Sequence, residues 1–521
     1  MDLKTISIGL EFGSTRIKAV AIDGSHKVIA YGEHGWENRF ENGVWTYSME
    51  MVENGLHDAF SGLQRDFLNK HGIPLSTCGA LGISGMMHGY LVLDRYGNVL
   101  APFRTWRNTM TGEAAAKLTA LFGFSIPQRW SIAHIYQSIL NGDKEVRDID
   151  MATTLSGYIH YRLTGQHVLG IGEASGMFPI DPITNDYYDG MLAEFDNLVD
   201  GSLSKPIRQI LPEVALAGVE AGILTEEGAR FLDPTGVFQP GVPLVPPEGD
   251  MGTGMVATNS VALHTGNASI GTSSNVTIVT GKALPPDPRV DIIAGPSGNV
   301  AALIHVNNGT SDINKWVNLL HEAIILGGGD ISKKDLFERL FNLALETNPG
   351  TGGLLQYNTA SGEPMLGINE GRPMLLRSPD SQMGVGTVMK SSIYSLLCPI
   401  RIGLDILKAQ GVTVDVVTGH GGFFKTKAVG ALFLSAAIGS RVSNLYSSSE
   451  GGPYGMALLA SYYLEKKEGE TLEDYLAKVF GEQGKEEFEA TPGQVEDFRL
   501  YYEDYLSSIP ALKEAINTFK A

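Results

Sequence analysis

Two short glycine-containing turns, each between two apolar runs of β type, constrain this sequence more than any other feature. The first turn is Glu11-Phe-Gly-Ser-Thr-Arg16, and the second is Gly271-Thr-Ser273. Alternating apolar and smaller residues on both sides of each turn predict strands, so each segment is predicted to be a β-hairpin. Taken singly, each is also compatible with an ordinary Gly/Ser hairpin. The pair predicts two similar lobes.

The first hairpin carries the residue types that hold phosphate. Gly13 lets the backbone approach a bulky anion, and the Ser14 and Thr15 hydroxyls and nearby N–H groups can donate hydrogen bonds to phosphate oxygens. Glu11 is placed to hold a magnesium-bound water. The second turn has the same three residue types in the order Gly-Thr-Ser, which predicts a second phosphate contact.

Composition narrows the class of protein. A chain of 521 residues is too long for one core, so two large lobes fit it well. The net charge of −19 argues against non-specific binding to nucleic acid or to an anionic membrane. Two cysteines, Cys78 and Cys398, are too few for a disulfide framework. With no long apolar segment near the start, the sequence predicts a reduced, cytoplasmic protein.

A second group of candidates follows the apolar run Ala80-Leu-Gly-Ile-Ser84, which is predicted to be a buried strand. This strand delivers Met87 and His88 to its carboxyl end, where ligands collect in open α/β sheets. A lone histidine is also often a satisfied core residue. Further on, Trp106-Arg-Asn108 combines an indole face, a donor fork and an amide, which suits a polyhydroxylated ligand. Trp106 alone is equally compatible with the core.

Asp250 ends an apolar run and is flanked by glycines, so an acid is presented where the backbone is uncrowded. An aspartate beside glycines is also a common turn former. Downstream, Gly419-His-Gly-Gly-Phe-Phe-Lys-Thr426 forms a glycine-rich turn between a predicted strand and a predicted helix. It lacks the Gly-Lys-Ser/Thr frame of a P-loop and the Rossmann fingerprint. Such a turn can pass closely over a nucleotide base and ribose.

With these motifs in order, the chain resembles the FGGY carbohydrate kinase family, closest to its xylulokinase-like branch, within the actin-like ATPase superfamily. The similarity runs from about Ile6 to Leu464. It rests on six ordered matches: Glu11 to Lys18, Met86 to Asp94, Pro247 to Met255, Gly271 to Ser273, Ser361 to Pro364 and Gly419 to Gly422.

The resemblance implies an α/β fold of two actin-like ATPase (ribonuclease H-like) lobes. Each lobe is expected to hold a mixed five-stranded sheet flanked by helices, with ATP in an interlobe cleft. The expected domains are an N-terminal sugar-binding lobe at 1–255, a C-terminal nucleotide-binding lobe at 256–464, and a helical tail at 465–521 that packs on the lobes.

The resemblance also implies an ATP- and Mg²⁺-dependent kinase that phosphorylates a hydroxyl of a ketose. The expected substrates are xylulose- or ribulose-type ketopentoses. Asp250 is expected to be the catalytic base and Glu11 the metal ligand. Sugar contacts are expected from Met87, His88, Trp106, Arg107, Asn108 and Asp250. ATP contacts are expected from Gly13, Ser14, Thr15, Arg16, Lys18, Gly271, Thr272, Ser273, Gly309, Thr310, Gly421, Gly422 and Phe423. The expected partners are a small-molecule sugar and ATP, and a homodimer is left open.

Three departures from the family pattern keep alternatives open. Glu11 and Glu173 stand where the family usually has aspartate, and Trp106-Arg-Asn108 replaces the usual Trp-x-Asp. The alternatives are a sugar-binding regulator with weak catalysis and a non-sugar ATPase of the same superfamily. The retention of Asp250 and of both hairpins favours the kinase.

Overall fold

The computed structural model describes residues 2–347, 349–444, 451–481 and 486–519. Contacts between its residues divide the chain into two compact units. The first unit comprises Met1–Leu263, Gly281–Ala301 and Ser447–Gln483, and the second comprises His264–Thr280, Ala302–Tyr446 and Gly484–Ala521. The chain therefore passes between the units several times.

The first unit is built on a mixed sheet. Its strands lie in the order Gly222–Ile223, Pro243–Leu244, Ala80–Gly85, Ser7–Phe12, Arg16–Ile22 and Val28–Gly35, and Glu248–Gly249 also pairs with Ala80–Gly85. The first predicted hairpin is present, with Ser7–Phe12 antiparallel to Arg16–Ile22. Ser7–Phe12 runs parallel to Ala80–Gly85 on its other side. Buried Ile, Leu and Phe side chains from these strands form the core of this unit.

Helices surround this sheet. They are Met49–His71, Gly112–Phe122, Ser131–Asn141, Leu155–Thr164, Ile171–Ala174, Asp189–Leu198, Ile207–Ile210, Glu226–Leu232, Asp250–Ala257, Gly452–Glu465 and Leu472–Gly481. The longest begins after Ser48, whose side chain accepts a hydrogen bond from the N–H of Met51. It ends at Gly72, which takes the left-handed conformation at φ 71°.

Short strands and 3₁₀ turns complete the first unit. The strands are Arg39–Glu41, Val44–Thr46, Leu91–Leu93, Met151–Thr153, Val168–Gly170, Ile180–Asp181, Asp186–Tyr187, Glu213–Ala215 and Val290–Ala294, and the turns are Leu3–Thr5 and Lys144–Asp148.

The second unit has a sheet of the same kind. Its strands lie in the order Val300–Val306, Ser274–Val279, Thr265–Ile270, Val416–His420, Arg441–Asn444 and Glu486–Phe488. The second predicted hairpin is present, with Thr265–Ile270 antiparallel to Ser274–Val279 and parallel to Val416–His420. The flanking helices are Ser311–Leu326, Lys333–Glu346, Val385–Ala409, Val429–Ile438 and Pro492–Thr518. A separate strand pair is Leu354–Tyr357 with Met374–Arg377, and 3₁₀ turns lie at Pro364–Leu366 and Gly422–Phe424.

Two α/β units with mixed sheets flanked by helices confirm the predicted fold class. The strand count differs, because both large sheets have more than five strands, with seven in the sheet of the first unit. Three of these strands are only two residues long, too short to give an alternating pattern in the sequence. The predicted interlobe cleft stays a prediction.

The predicted domain boundaries after residues 255 and 464 follow the order of the chain and also stay predictions. In space, residues 452–465 form a helix that packs on the strand Ser7–Phe12 of the first unit. The helix Pro492–Thr518, in the predicted tail, packs on helices of the second unit. Parts of the tail, 482–485 and 520–521, lie outside the described residues. None of the described helices has the length and apolar composition that a membrane span needs.

Candidate active site

Neighbouring strands of the first unit bring polar side chains together at one edge of its sheet. Glu11 pairs with Ser84 in a parallel ladder, and Ser84 pairs in turn with Glu248. Asp250 begins the helix that follows Glu248 in the sequence. Because the carboxyl ends of parallel strands are where open α/β sheets bind ligands, this edge is the candidate site.

Asp250 combines access to solvent with a raised pKa. Its side chain is exposed by surface area, yet the protein atoms crowded around the carboxyl group raise its pKa to about 6. A carboxylate that water reaches from one side only, with protein atoms on its other sides, has both properties. Hydrogen bonds from the backbone N–H groups of Met251 and Met87 oppose this rise in pKa. The contact with Met87 places the predicted sugar-binding segment beside the predicted base.

Glu11 is mostly buried, with 12% of its side chain exposed. Its Oε2 lies 4.0 Å from Nζ of Lys18, at the outer limit of an ion pair. Burial raises the pKa of Glu11 to about 7, Lys18 lowers it, and the nearby Asp250 carboxylate raises it. A buried carboxylate with a second carboxylate nearby and only a distant lysine is stabilised by an added cation.

Glu248 holds a neighbouring loop with both of its carboxylate oxygens. Oε1 accepts a hydrogen bond from the N–H of Gly172 at 3.2 Å, and Oε2 accepts one from the N–H of Glu173 at 3.0 Å. Burial raises the pKa of Glu248 to about 7, and these hydrogen bonds oppose the rise. Glu248 therefore fastens the segment that carries Glu173 to the segment that carries Asp250.

Glu173 is a fully buried acid behind Asp250. Its Oε1 accepts a hydrogen bond from Ser156 Oγ at 3.2 Å, while Oε2 has no hydrogen-bond partner within the described residues. A Cβ atom on Gly249 would lie 2.5 Å from Oε2, so a larger residue does not fit there. Burial raises the pKa of Glu173 well above its ordinary value, and the charges of Asp250 and Glu248 add to this. The folded protein therefore favours the protonated form of Glu173 more than an ordinary glutamate does.

The turn of the first hairpin exposes the residues predicted to bind phosphate. Ser14, Thr15 and Arg16 are exposed, and the N–H of Gly13 closes the turn by donating to the carbonyl of Arg16 at 3.0 Å. Arg16 also pairs with Glu33 at 2.8 Å on the surface. Because such exposed pairs are weak, this one leaves the guanidinium able to contact phosphate.

The predicted sugar-binding segment is buried and held in an unusual conformation. Met87 and His88 are 4% and 5% exposed. His88 Nδ1 lies 3.2 Å from the carbonyl oxygen of Gly176, and its ring stacks nearly parallel to Trp130. His88 has φ 71°, in the left-handed region that side-chain-bearing residues rarely adopt. Such conformations persist where the surrounding structure fixes them, often at functional sites.

The three residues at 106–108 differ in their surroundings. Trp106 is partly buried and packs on the core of the first unit. Arg107 is exposed, and its guanidinium carbon lies 3.9 Å from the centroid of the Trp45 ring. Asn108 is buried, and its amide accepts from the N–H of Trp45 and donates to the carbonyls of Trp45 and Thr105. The amide donors of Asn108 are thus used within the protein, which indicates a supporting role instead of the predicted direct sugar contact.

The second hairpin is braced by the predicted residues Gly309 and Thr310. Their N–H groups donate to the carbonyls of Thr272 and Gly271, each at 2.8 Å, and Thr310 Oγ1 also donates to Gly271 at 3.0 Å. A Cβ atom on Gly309 would lie 2.2 Å from the carbonyl oxygen of Gly271. The structure therefore brings Gly271, Thr272, Ser273, Gly309 and Thr310 into one cluster, and their predicted contact with ATP stays a prediction.

The predicted adenosine segment is only partly accessible. Gly421 and Gly422 are exposed, and Gly421 has φ 98°, which favours glycine. Phe423 is fully buried and contacts Phe341 edge-on. The side chain of Phe423 is therefore part of the core, and its predicted ATP contact is limited to the backbone.

Some residues of this region were not identified from the sequence. Glu248 could have been found from the sequence, because it stands two residues before Asp250. In the structure, the glycines at 170 and 172 leave room for its carboxylate. No sequence pattern points to Trp36 and Tyr47, because only the fold brings them to the turn of the first hairpin, where they form hydrogen bonds.

The side chains at this edge of the sheet supply only part of what a magnesium ion requires. Within the described residues, no cluster of three or more His, Cys, Asp or Glu side chains is arranged to hold a metal ion. Magnesium in nucleotide sites is commonly bound by one or two carboxylates together with phosphate oxygens and water. Glu11 fits such a role, and an all-protein metal cage does not.

Comparison with known proteins identifies the family. Residues 6–256 match the model of the FGGY family of carbohydrate kinases, N-terminal domain, and residues 266–464 match the C-terminal domain of the same family. A xylulose kinase of Haemophilus influenzae is 22% identical over 523 residues, which cover 97% of this chain and 99% of that protein.

Solved structures show the same fold. A xylulose kinase from Rhodospirillum rubrum superposes with a TM-score of 0.78 at 17% identity, covering 98% of this chain and 100% of that one. A gluconate kinase from Lactobacillus acidophilus superposes with a TM-score of 0.78 at 15% identity, covering 99% of each chain. At these identities the superpositions support the fold and leave the sugar open.

Proposed function

This chain belongs to the FGGY family of carbohydrate kinases, and we propose that it transfers the γ-phosphoryl group of ATP to a hydroxyl group of a ketopentose. The family match supports a sugar kinase over a non-sugar ATPase or a non-catalytic regulator. The observation that carries the proposal is the packing of Met87 beside Asp250: a Cβ atom on Gly249, the residue before Asp250, would lie 2.3 Å from Met87 Cγ. It joins the segment expected to hold the sugar to the expected base.

Asp250 is the proposed general base. Phosphoryl transfer requires positioning, charge neutralisation and a group that orients or accepts the proton of the attacking hydroxyl. A carboxylate with a pKa of about 6 is mostly ionised at neutral pH, and it accepts a proton more readily than an ordinary aspartate. Its exposure allows a sugar hydroxyl to reach it.

The phosphates of ATP are the proposed ligands of the hairpin turns. In the first unit, Ser14, Thr15 and Arg16 are exposed donors beside Glu11. Glu11 is the residue proposed to hold Mg²⁺, which supplies neutralisation of charge on phosphate oxygens when bound. The remaining residues proposed to contact ATP are Gly13, Lys18, Gly271, Thr272, Ser273, Gly309, Thr310, Gly421, Gly422 and the backbone of Phe423.

A ketopentose is the proposed substrate class because Met87 and His88 resemble the ketose-contacting segment of the xylulokinase-like branch. The Haemophilus relative named as a xylulose kinase, matched along nearly its whole length, supports this choice. The gluconate kinase of similar fold makes a sugar acid the second candidate. His88, Trp106 and Arg107 are proposed to face the sugar, and Asn108 to support their loop. A cytoplasmic location and a homodimer are further proposals.

A coupled assay of ADP release tests the proposal. The purified protein is supplied with Mg²⁺-ATP and, in turn, with D-xylulose, L-xylulose, D-ribulose, L-ribulose, L-fuculose, sedoheptulose and D-gluconate. A ketopentose is expected to give the highest kcat/KM. A preference for D-gluconate would show that the substrate is a sugar acid and not a ketopentose. An ADP release rate that no sugar changes would reject the proposed function.

A further inference from the structure

Three consecutive carbonyl groups in the turn of the first hairpin are held by two aromatic residues. Trp36 Nε1 donates to the carbonyl of Gly13 at 2.7 Å, and the Tyr47 hydroxyl donates to the carbonyl of Ser14 at 2.6 Å. The backbone N–H of Trp36 donates to the carbonyl of Thr15 at 3.2 Å. The carbonyls of Gly13, Ser14 and Thr15 therefore point toward Trp36 and Tyr47.

This arrangement fixes the direction of two N–H groups. In a planar trans peptide, the carbonyl oxygen of one residue and the N–H of the next point in opposite directions. Holding the carbonyls of Gly13 and Ser14 therefore directs the N–H groups of Ser14 and Thr15 away from the aromatic pair. No acceptor for these two N–H groups occurs in the described parts of the chain. Adjacent N–H groups that converge in this way form a site for an anion.

The aromatic pair itself is rigid. Trp36 and Tyr47 are buried and stack with ring centroids 4.1 Å apart at an interplanar angle of 26°. Burial raises the pKa of the Tyr47 hydroxyl to about 12, so it stays protonated and remains a donor to Ser14. Stacked, buried rings have little rotamer freedom, which makes their hydrogen bonds well directed.

A second set of hydrogen bonds connects this pair to the loop at 105–108. The side chain of Asn108 accepts from the N–H of Trp45 at 2.9 Å and donates to its carbonyl at 2.8 Å. The N–H of Thr105 donates to the same carbonyl at 3.1 Å. Trp45 stands two residues before Tyr47 on the same short segment. Asn108 therefore supports the position of Tyr47 as well as that of its own loop.

We propose that Trp36 and Tyr47 are positioning residues that direct the Ser14 and Thr15 N–H groups at a phosphate of ATP, and that Asn108 acts on the same phosphate contact through Trp45. The inference rests on the proposed function, since it takes ATP as the ligand of the hairpin. It adds that a residue of the predicted sugar-side loop influences the affinity for nucleotide.

The test measures binding of Mg²⁺ with a non-hydrolysable ATP analogue by calorimetry, without sugar. Tyr47→Phe keeps the ring and removes one hydrogen bond, so we expect about fivefold weaker binding or more. Tyr463→Phe is the matched control, because it removes one exposed hydrogen bond to Glu220 elsewhere in the first unit. This control is expected to bind like the wild type.

A double-mutant cycle tests the link to Asn108. Asn108→Ala is also expected to weaken binding of the analogue, and the double variant with Tyr47→Phe is expected to be much less weakened than the product of the two single effects. Trp36→Phe keeps an aromatic ring and removes the Nε1–H donor, so it is expected to weaken binding similarly. If Tyr47→Phe does not fold, Trp36→Phe tests the inference in its place.

The outcomes are distinguishable. Wild-type protein that binds no analogue overturns the proposed function and this inference with it. Wild-type protein that binds the analogue, with Tyr47→Phe and Trp36→Phe both within twofold of it, overturns the inference and leaves the proposed function standing. Fully multiplicative effects of Tyr47→Phe and Asn108→Ala overturn the link through Trp45.

Discussion

The carboxylate of Glu11 lies directly against the helix that begins at Gly452, since a Cβ atom on Gly452 would lie 2.0 Å from Oε1 of Glu11. The helix Gly452–Glu465 therefore places its first turn, with its partial positive charge, beside this acid. The arrangement partly offsets the cost of burying a carboxylate there. It also leaves Glu11 little freedom to move away from the site.

Glu11→Gln is expected to abolish most kinase activity, because it removes the charge proposed to hold Mg²⁺ while it keeps the shape. Glu11→Asp is expected to retain sugar binding and to need more Mg²⁺ for half-maximal rate, because the shorter acid does not reach the same position. The measurement is the initial rate as a function of Mg²⁺ concentration at saturating ATP and sugar. Wild-type rate and Mg²⁺ dependence in Glu11→Gln would show that Glu11 is structural.

Asp250→Asn is expected to lower kcat by about two orders of magnitude or more, because the amide cannot accept the proton of the sugar hydroxyl. Binding of the ATP analogue and the melting temperature are expected to stay near the wild-type values. In the wild type, kcat/KM should fall as pH drops below about 6, where Asp250 becomes protonated. Full turnover in Asp250→Asn would remove this residue from the chemistry.

His88→Asn is expected to raise the KM for sugar at least tenfold and to leave analogue binding within about twofold, since His88 belongs to the sugar-side segment. Asparagine tolerates the left-handed conformation that residue 88 adopts, so the backbone should be preserved. Steady-state kinetics with sugar and ATP varied separately provide the comparison. An unchanged KM for sugar would mean that His88 is only a core residue.

Glu173→Gln tests the protonation state of the buried acid behind Asp250. The pKa of Glu173 is raised in the folded protein, so the folded state binds its proton more tightly than the unfolded state. This contribution to stability is complete below the unfolded pKa of about 4.5 and is lost as pH rises toward the folded pKa. Glutamine does not titrate, so the variant does not lose this stability and is expected to gain stability relative to the wild type as pH rises above about 4.5.

Denaturant unfolding at several pH values measures this difference. The other raised carboxyls, Glu11, Glu248 and Asp250, are present in both proteins, so their effects largely cancel in the comparison. Each pH unit over which only the folded state stays protonated corresponds to about 1.4 kcal/mol. A difference in free energy of unfolding that does not change with pH would show that Glu173 is ionised in the folded protein.

Local sequence patterns predicted much of the fold. Both hairpins were predicted correctly, because alternation and turn glycines act over a few neighbouring positions. The two-residue strand at Glu248 gave no such pattern, since only pairing with Ser84 defines it. The strand count was therefore underestimated.

The candidate site was also predicted where local motifs define it and missed where tertiary packing defines it. Asp250 and Met87 were predicted from motifs, and the structure packs Met87 against Gly249, the residue before Asp250. The burial of Phe423 and the internal bonding of Asn108 depend on tertiary packing, which the motifs do not encode. The same holds for Trp36 and Tyr47, which reach the first hairpin from elsewhere in the sequence.

The most direct test of the central claim is the stoichiometry of the reaction. Purified protein is incubated with Mg²⁺-ATP and the ketopentose that gives the highest rate, and ADP, inorganic phosphate and sugar phosphate are quantified together by ³¹P NMR. The account predicts one sugar phosphate for each ADP and almost no inorganic phosphate in the wild type, with both products strongly reduced in Asp250→Asn. Release of ADP with an equal amount of inorganic phosphate and no sugar phosphate would contradict it.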